Sequence, residues 1–300
     1  MADGDLSKNA LMQHPIKLGA HVSIAGALSN APVRAHALGC EGFQIFNTSP
    51  RNWHQIKISD REKRQFKEAV KNLGVGPAFI HTIYLINLAS STPQFWELSI
   101  QALVDALLTG REIGAQAVVT HVGSPKDEGF KVGLERVHEA LRRLCATLDR
   151  YDPNGTRLCL EFSAGTGNHI GKTFEELTTI LDPFEKYDFG VTLDTAHMFT
   201  SGVELRTKTA LDELVVTIEK TIGFERIGFI HLNDSKAPFG SGVDRHEDIG
   251  KGEIGLDALT RFVHHPRFRD FNFILETPSL KTASSDTAWL DTIRTQLGIK

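Results

Sequence analysis

Cysteine is scarce in this chain of 300 residues, with only Cys40, Cys145 and Cys159. The number is odd, the spacing is wide and no C-x-x-C pair occurs, which argues against both a disulfide framework and a thiolate zinc site. Buried free thiols in a reducing cytosol are the expectation. Long apolar runs are also missing. No window approaches the roughly 18 consecutive apolar residues that a membrane-spanning helix needs, so no membrane partner is expected. The N-terminal stretch MADGDLSKNALMQHP has no basic segment followed by an apolar core, and no secretory signal is read there. Residues 1–15 are read as a polar extension, residues 16–300 as one catalytic domain, and the location as cytoplasmic. Basic residues show no excess: 33 Lys and Arg stand against 37 Asp and Glu, for a formal net charge of −4. The broad positive footprint of many nucleic-acid-binding proteins is therefore absent. Linkers rich in Gly, Ser or Pro, low-complexity tracts and like-charge blocks are absent too.

What the chain does contain is one unit repeated: a short β-rich run, then an amphipathic helical stretch. The runs begin with Ile16-Lys-Leu-Gly-Ala, Gly42-Phe-Gln-Ile-Phe, Ala78-Phe-Ile and Ala117-Val-Val-Thr. They continue with Leu158-Cys-Leu, Phe189-Gly-Val-Thr-Leu, Ile227-Gly-Phe-Ile and Phe271-Asn-Phe-Ile-Leu. Stretches such as Pro93 to Ile113 and Val132 to Leu148 lie between them, with apolar residues at helical spacing (Ile100, Leu103, Leu107, Leu108). Eight alternations with nearly continuous apolar strands predict a buried parallel sheet with crossover helices. A single α/β (β/α)8 TIM barrel is the predicted fold, and a doubly wound open sheet is the competing architecture.

The residues where each run ends are the informative ones: His21, Asn47, His81, His121, Glu161, Asp194, His231 and Glu276. In a barrel all of them lie at the C-terminal rim, where the βα loops build the active site. Seven of the eight are His, Asp or Glu, types that together supply 13 and 37 of the 300 residues, or one in six. Chance delivers such an outcome on the order of one time in a hundred, even if each strand end slides by a residue. One strand-end His is usually a hydrogen-bonded loop residue, and one Asp or Glu there serves equally well as a helix cap. A ring of imidazoles and carboxylates in one mouth is different, because such groups repel and desolvate each other unless cations lie between them. Nitrogen and oxygen donors without thiolate suit zinc, manganese or iron at a catalytic site.

Two loops add donors. Asp194-Thr-Ala-His197 places a carboxylate and an imidazole three apart where the sixth strand ends, and Asp244-Arg-His246 places them two apart between His231 and Ile254. The second loop carries Gly240, Gly242, Gly250 and Gly252, so its backbone can approach a bound phosphate or metal closely.

The segments GAHVS (19–23), YLINL (84–88), LDTAH (193–197), HLNDSK (231–236), FGSGVDRHEDIGKGEIG (239–255) and ILET (274–277) together resemble the endonuclease IV family of zinc-dependent abasic-site endonucleases. The likeness runs from about Ile16 to Trp289. It implies a (β/α)8 barrel with three zinc ions per chain, manganese being an alternative occupant of some sites. Position by position, it implies His81, His121 and Glu161 as ligands of the first ion. Glu161 as a bridge, with Asp194, His231 and Glu276, corresponds to the second, and His197, Asp244 and His246 to the third. Two positions depart from the family pattern: Phe162 stands where Asn usually follows the bridging Glu, and Pro125 ends a segment that usually reads H-P-G-S-H.

The implied function is DNA repair: hydrolysis of the phosphodiester 5′ to an abasic site in duplex DNA by a monomer, with Glu276 and Glu161 as the catalytic carboxylates. Three divalent ions would add six charges, moving the formal net from −4 to +2 and concentrating the positive field in the mouth. The resemblance further implies that Arg51, Tyr84 and Leu85 enter the duplex while the abasic sugar turns into the metal pocket. Packing is the bland alternative for Leu85 and the preferred one for Trp53. His21 fills no ligand slot and is expected beside the ligands. Two other readings stay open: a metal-dependent sugar-phosphate isomerase or epimerase of the same barrel group, and a protein that binds abasic lesions without cutting.

Overall fold

The chain is described by a computed structural model that covers residues 15–53, 58–150, 155–281 and 287–300. The N-terminal extension read from the sequence lies, apart from its last residue, outside the described residues. Strands β1 (Lys17–His21), β2 (Phe43–Phe46), β3 (Ala78–His81), β4 (Ala117–Thr120), β5 (Arg157–Glu161), β6 (Phe189–Asp194) and β7 (Ile227–His231) follow in order. Two short strands, β8 (Asp234–Ser235) and β9 (His246–Glu247), precede β10 (Asn272–Leu275). Helices α1 (Asn30–Ala37), α2 (Asp60–Leu73), α3 (Pro93–Ile113), α4 (Gly129–Leu148), α5 (Phe174–Leu181), α6 (Thr195–Ser201), α7 (Lys208–Lys220), α8 (Leu256–His264) and α9 (Ala288–Gln296) alternate with the strands.

Strands β1 to β7 and β10 pair in parallel and close on themselves, with β10 between β7 and β1. This is the (β/α)8 barrel expected from the eight runs, and closure rules out the open doubly wound sheet. The expected helical stretch Pro93 to Ile113 coincides with α3. Helix α4 begins three residues before the expected Val132, because a 3-10 turn at Lys126–Glu128 leads straight into it. Local chemistry fixes the helix ends. Ser59 and Glu62 form a reciprocal capping box on α2, and Pro93 stands in the first turn of α3, where a missing N–H costs nothing. No described helix is long and apolar enough to cross a membrane.

A large core fills the space between barrel and helices, and a smaller one fills the barrel itself: Phe79, Ala117, Val119, Cys159, Phe229 and Ile274. The Phe79 and Phe229 rings stack with centroids 4.1 Å apart. Strand side chains alternate, so the residue two beyond an inward-facing one also faces inward. From the plug residues Phe79, Val119, Cys159, Phe229 and Ile274 that step leads to His81, His121, Glu161, His231 and Glu276. The apolar plug therefore forms the floor of the polar mouth above it. The three cysteines are free and buried, as their spacing predicts.

Candidate metal centre

A cavity of about 1280 Å³ opens at the C-terminal rim, lined among others by His81, His121, Glu161, His197, Asp244 and Glu276. Glu161, 1% exposed, lies at the centre. Its Oε2 stands 3.3 Å from His81 Nε2 and 3.4 Å from His121 Nε2. Its Oε1 stands 2.9 Å from His231 Nδ1 and 3.4 Å from His197 Nδ1. One carboxylate thus turns its two oxygens toward different sets of imidazoles. His231 Nδ1 is also 3.7 Å from Asp194 Oδ2 and 3.6 Å from Glu276 Oε2.

The donor atoms fall into three groups that could each hold a cation, with the donors in a group all within 4.8 Å of one another: His81, His121 and Glu161; Glu161, Asp194, His231 and Glu276; and Asp194, His197 and His246. The first two coincide with the sets implied by the family resemblance. The third brings Asp194 where Asp244 is expected. Asp244 is close as well, its Oδ1 lying 3.2 Å from His197 Nε2 and 3.4 Å from His246 Nε2, but its side chain is 49% exposed whereas that of Asp194 is wholly buried. The sequence leaves Asp194 a choice between capping and facing the mouth, and it does both. Oδ1 accepts the backbone N–H of His197 as N-cap of α6, and Oδ2 lies 3.5 Å from His246 Nε2.

The backbone orients most of the imidazoles. His81 Nδ1 donates to the Thr82 carbonyl (2.7 Å), His197 Nδ1 to the Phe162 carbonyl (3.0 Å) and His246 Nδ1 to the Glu276 carbonyl (3.4 Å). Each of the three therefore turns Nε2 into the mouth. The departure at Phe162 leaves this intact, because the contact is made by a main-chain oxygen. Its ring is fully buried against Phe174, centroids 4.9 Å apart.

Charges in the mouth are strongly perturbed. Burial opposes ionisation of Glu161 and Glu276, yet the imidazoles around them hold both carboxyls well below the usual range. Burial also opposes charge on His231, but Glu276, Glu161 and Asp194 raise it to about 9. His121 is pushed down to about 4 by burial and the neighbouring His81 and His197. The site demands positive charge that its own side chains provide only by taking up protons. A divalent cation meets that demand with oxygen and neutral imidazole donors already gathered, so the residues present fit such ions.

The long loop after β7 is tied down by Asp234, a fully buried residue. Its carboxylate accepts the backbone N–H groups of Ser235, Gly250, Gly252, Ile254 and Gly255. The β8–β9 pair, Asp234 opposite Glu247 and Ser235 opposite His246, brings His246 to the rim.

At the edge of the mouth, Arg51 is exposed, Tyr84 is 58% exposed and Leu85 is 36% exposed. Leu85 is not a core residue; Trp53 is partly buried against the core. The Tyr84 N–H donates to the Pro50 carbonyl, which ties the two tip loops together. His21 stands beside the ligand groups, with Nδ1 3.2 Å from Glu276 Oε1. Asn47, at the end of β2, is buried and lines the cavity without joining a donor group.

Attention to strand ends alone misses Gln44 and Asn233. Gln44 contacts His231, Glu276 and His21, and Asn233 Nδ2 donates to Asp194 Oδ2 at 2.8 Å. The one signal for Gln44 was a polar residue inside an otherwise apolar strand.

The Xylose isomerase-like TIM barrel family matches residues 33–294. A protein of Halothermothrix orenii described as "Probable endonuclease 4" is 38% identical over 280 residues, 93% of this chain and 99% of that protein. The crystal structure of endonuclease IV from Thermus thermophilus superposes with a TM-score of 0.82 at 34% identity, covering 94% of this chain and 99% of the other. The chain belongs to the endonuclease IV family. This is a family of metal-dependent DNA repair nucleases, and the chain is a hydrolase of that kind. A D-tagatose 3-epimerase-like protein superposes with a TM-score of 0.69, but its 19% identity reports only the shared barrel.

Proposed function

We propose that the chain, a cytoplasmic monomer, hydrolyses the phosphodiester on the 5′ side of abasic sites in duplex DNA at a centre of three zinc ions. The reading rests on one observation above all: Glu161 presents each carboxylate oxygen to a different set of imidazoles within a mouth short of positive charge. His81, His121 and Glu161 hold one ion. Glu161, Asp194, His231 and Glu276 hold the second, and His197, Asp244 and His246 the third, with Asp194 beside it. Manganese can replace zinc in some of these positions. Bound divalent ions supply a Lewis-acid charge that lowers the pKa of water toward neutrality and offsets charge building on the phosphate.

The side chains do the rest. Glu276 directs Oε2 toward the donor group while Oε1 is held from behind, which suits it to orient the attacking water or take its proton. The water oxygen forms a bond to phosphorus, the bond from phosphorus to the 3′-oxygen breaks, and that oxygen leaves as a hydroxyl on taking up a proton. Arg51, Tyr84 and Leu85 fill the gap in the base stack as the abasic sugar turns out of the duplex.

The ends of the cut test this reading. No lysine occupies any of the eight strand ends or joins a donor group, and Lys281 lines the cavity outside them, so elimination through a Schiff base is the rival chemistry that the ends must exclude. Hydrolysis leaves a 3′-hydroxyl that a polymerase extends and a 5′-deoxyribose phosphate on the other fragment. A labelled abasic duplex, marker ends and an extension step check both, and borohydride should trap no adduct. A trapped adduct with ends that cannot be extended would overturn the mechanism, and no incision at all would favour the epimerase or the passive lesion binder.

A further inference from the structure

His231 is a ligand imidazole held from behind by a side chain rather than by the main chain. His81, His197 and His246 are turned by main-chain carbonyls, which no substitution removes. His231 faces the mouth through Nδ1, and its Nε2 lies 2.9 Å from the side-chain Oε1 of Gln44. Gln44 is fully buried in β2, inside the barrel. Its Nε2 lies 2.6 Å from Glu276 Oε1 and 2.9 Å from His21 Nδ1.

Only one assignment of this amide satisfies its neighbours. An ionised carboxylate accepts but cannot donate, so the NH2 group faces Glu276 and the carbonyl oxygen faces His231. His231 then donates from Nε2 to Gln44 Oε1, and when a cation displaces the proton that Nδ1 shares with Glu161 Oε1, the neutral ring keeps its proton on Nε2 and turns the Nδ1 lone pair to the mouth. The same amide occupies Glu276 Oε1 and leaves Oε2, 3.6 Å from His231 Nδ1, on the side of the donor group. His21 braces the arrangement from outside, its ring against Phe46 with centroids 4.3 Å apart.

We propose that Gln44 is a positioning residue that selects the tautomer of His231 and the coordinating oxygen of Glu276, and so sets the affinity of the second metal position apart from the other two. The proposal rests on the metal-centre reading above. A neutral amide suits the task because the mouth already holds the carboxylates of Glu161, Asp194, Asp244 and Glu276. An acidic partner for His231 would add another negative charge, while an apolar one would leave its Nε2–H buried without an acceptor.

The test uses protein reconstituted with zinc and the substitution Gln44→Met, which keeps length and volume but neither donates nor accepts strongly. Ion release to a chromophoric chelator should remain stepwise, with one ion leaving about 10–100-fold faster and the others unchanged. The hydrogen-bonded Nε2 proton of His231, shifted downfield in wild-type zinc-loaded protein, should move upfield in Gln44→Met. In Gln44→Glu, which retains the acceptor, it should stay downfield. A merely structural role predicts something else: a lower melting temperature of the metal-free protein, with all release phases shifted together or none. That result overturns the proposal. If Gln44→Met does not fold, Gln44→Asn, whose amide is too short to reach both partners, should show the same selective release. Wild-type protein that takes up no ion at these residues would sink the metal-centre reading and this one with it. Wild-type binding with an unaltered release profile in the variants would sink only this one.

Discussion

The backbone N–H of Gly252 donates to Asp234 Oδ2 at 3.0 Å, and a Cβ on Gly252 would lie 2.6 Å from Asp234 Oδ1 and 2.4 Å from the Ser235 carbonyl oxygen. The buried carboxylate and the missing side chain together pack the loop that carries Asp244 and His246 against the rim. Gly252→Ala should therefore displace that loop, at a cost of about 1–3 kcal/mol from overpacking. The third ion should be lost selectively, cutting should fall at least about tenfold, and two ions should stay bound. Asp234→Asn should act in the same direction, since the amide replaces an acceptor by a donor facing backbone N–H groups. Elemental analysis beside a melting curve checks this. Full metal content and normal turnover in Gly252→Ala would show that the loop does not depend on the contact.

Metal content of protein purified without added metal should approach three ions per chain, mostly zinc, because three donor groups share one mouth. Prolonged chelation should abolish cutting, and zinc should restore it. Active protein with one ion or none would contradict the assignment.

Glu276→Gln should lower turnover about 100- to 1000-fold, on the order of 3–4 kcal/mol, while DNA binding weakens far less. Its carboxylate faces the second donor group, whereas binding also draws on the exposed tips at Arg51, Tyr84 and Leu85. Single-turnover cleavage and a gel-shift titration on the same preparation separate the two effects. Near-normal turnover with the ions in place would remove Glu276 from the mechanism.

Arg51→Ala and Tyr84→Ala should each reduce the preference for abasic over intact duplex, by about tenfold, if filling a gap in the stack is worth about 1–3 kcal/mol. Metal content should not change, because neither residue belongs to a donor group. Competition between the two duplexes measures the ratio. An equal loss for both duplexes would reduce these residues to backbone binders.

The sequence by itself determined the eightfold alternation of strand and helix and the identity of most donors. Eight apolar runs separated by amphipathic stretches leave little but a parallel sheet covered by helices. The two-residue period of a strand carries each inward apolar position to a polar one at the rim, as from Phe79 to His81 and from Cys159 to Glu161. Where strands end is a local property, so His81, His121, Glu161, Asp194, His231 and Glu276 could be read off in order.

Closure, and which atom of each group faces the cation, were decided only in three dimensions. A tautomer depends on what lies behind the ring, and for His231 that is Gln44, 187 residues away in the chain. Asp194 illustrates the same limit: its identity is local, but its proximity to His246 follows from a loop that Asp234 folds back through contacts spanning up to 21 residues. Strand periodicity puts donors at a rim. Long-range packing turns their lone pairs toward one another, because a buried polar group settles only where a partner, however distant in sequence, satisfies it.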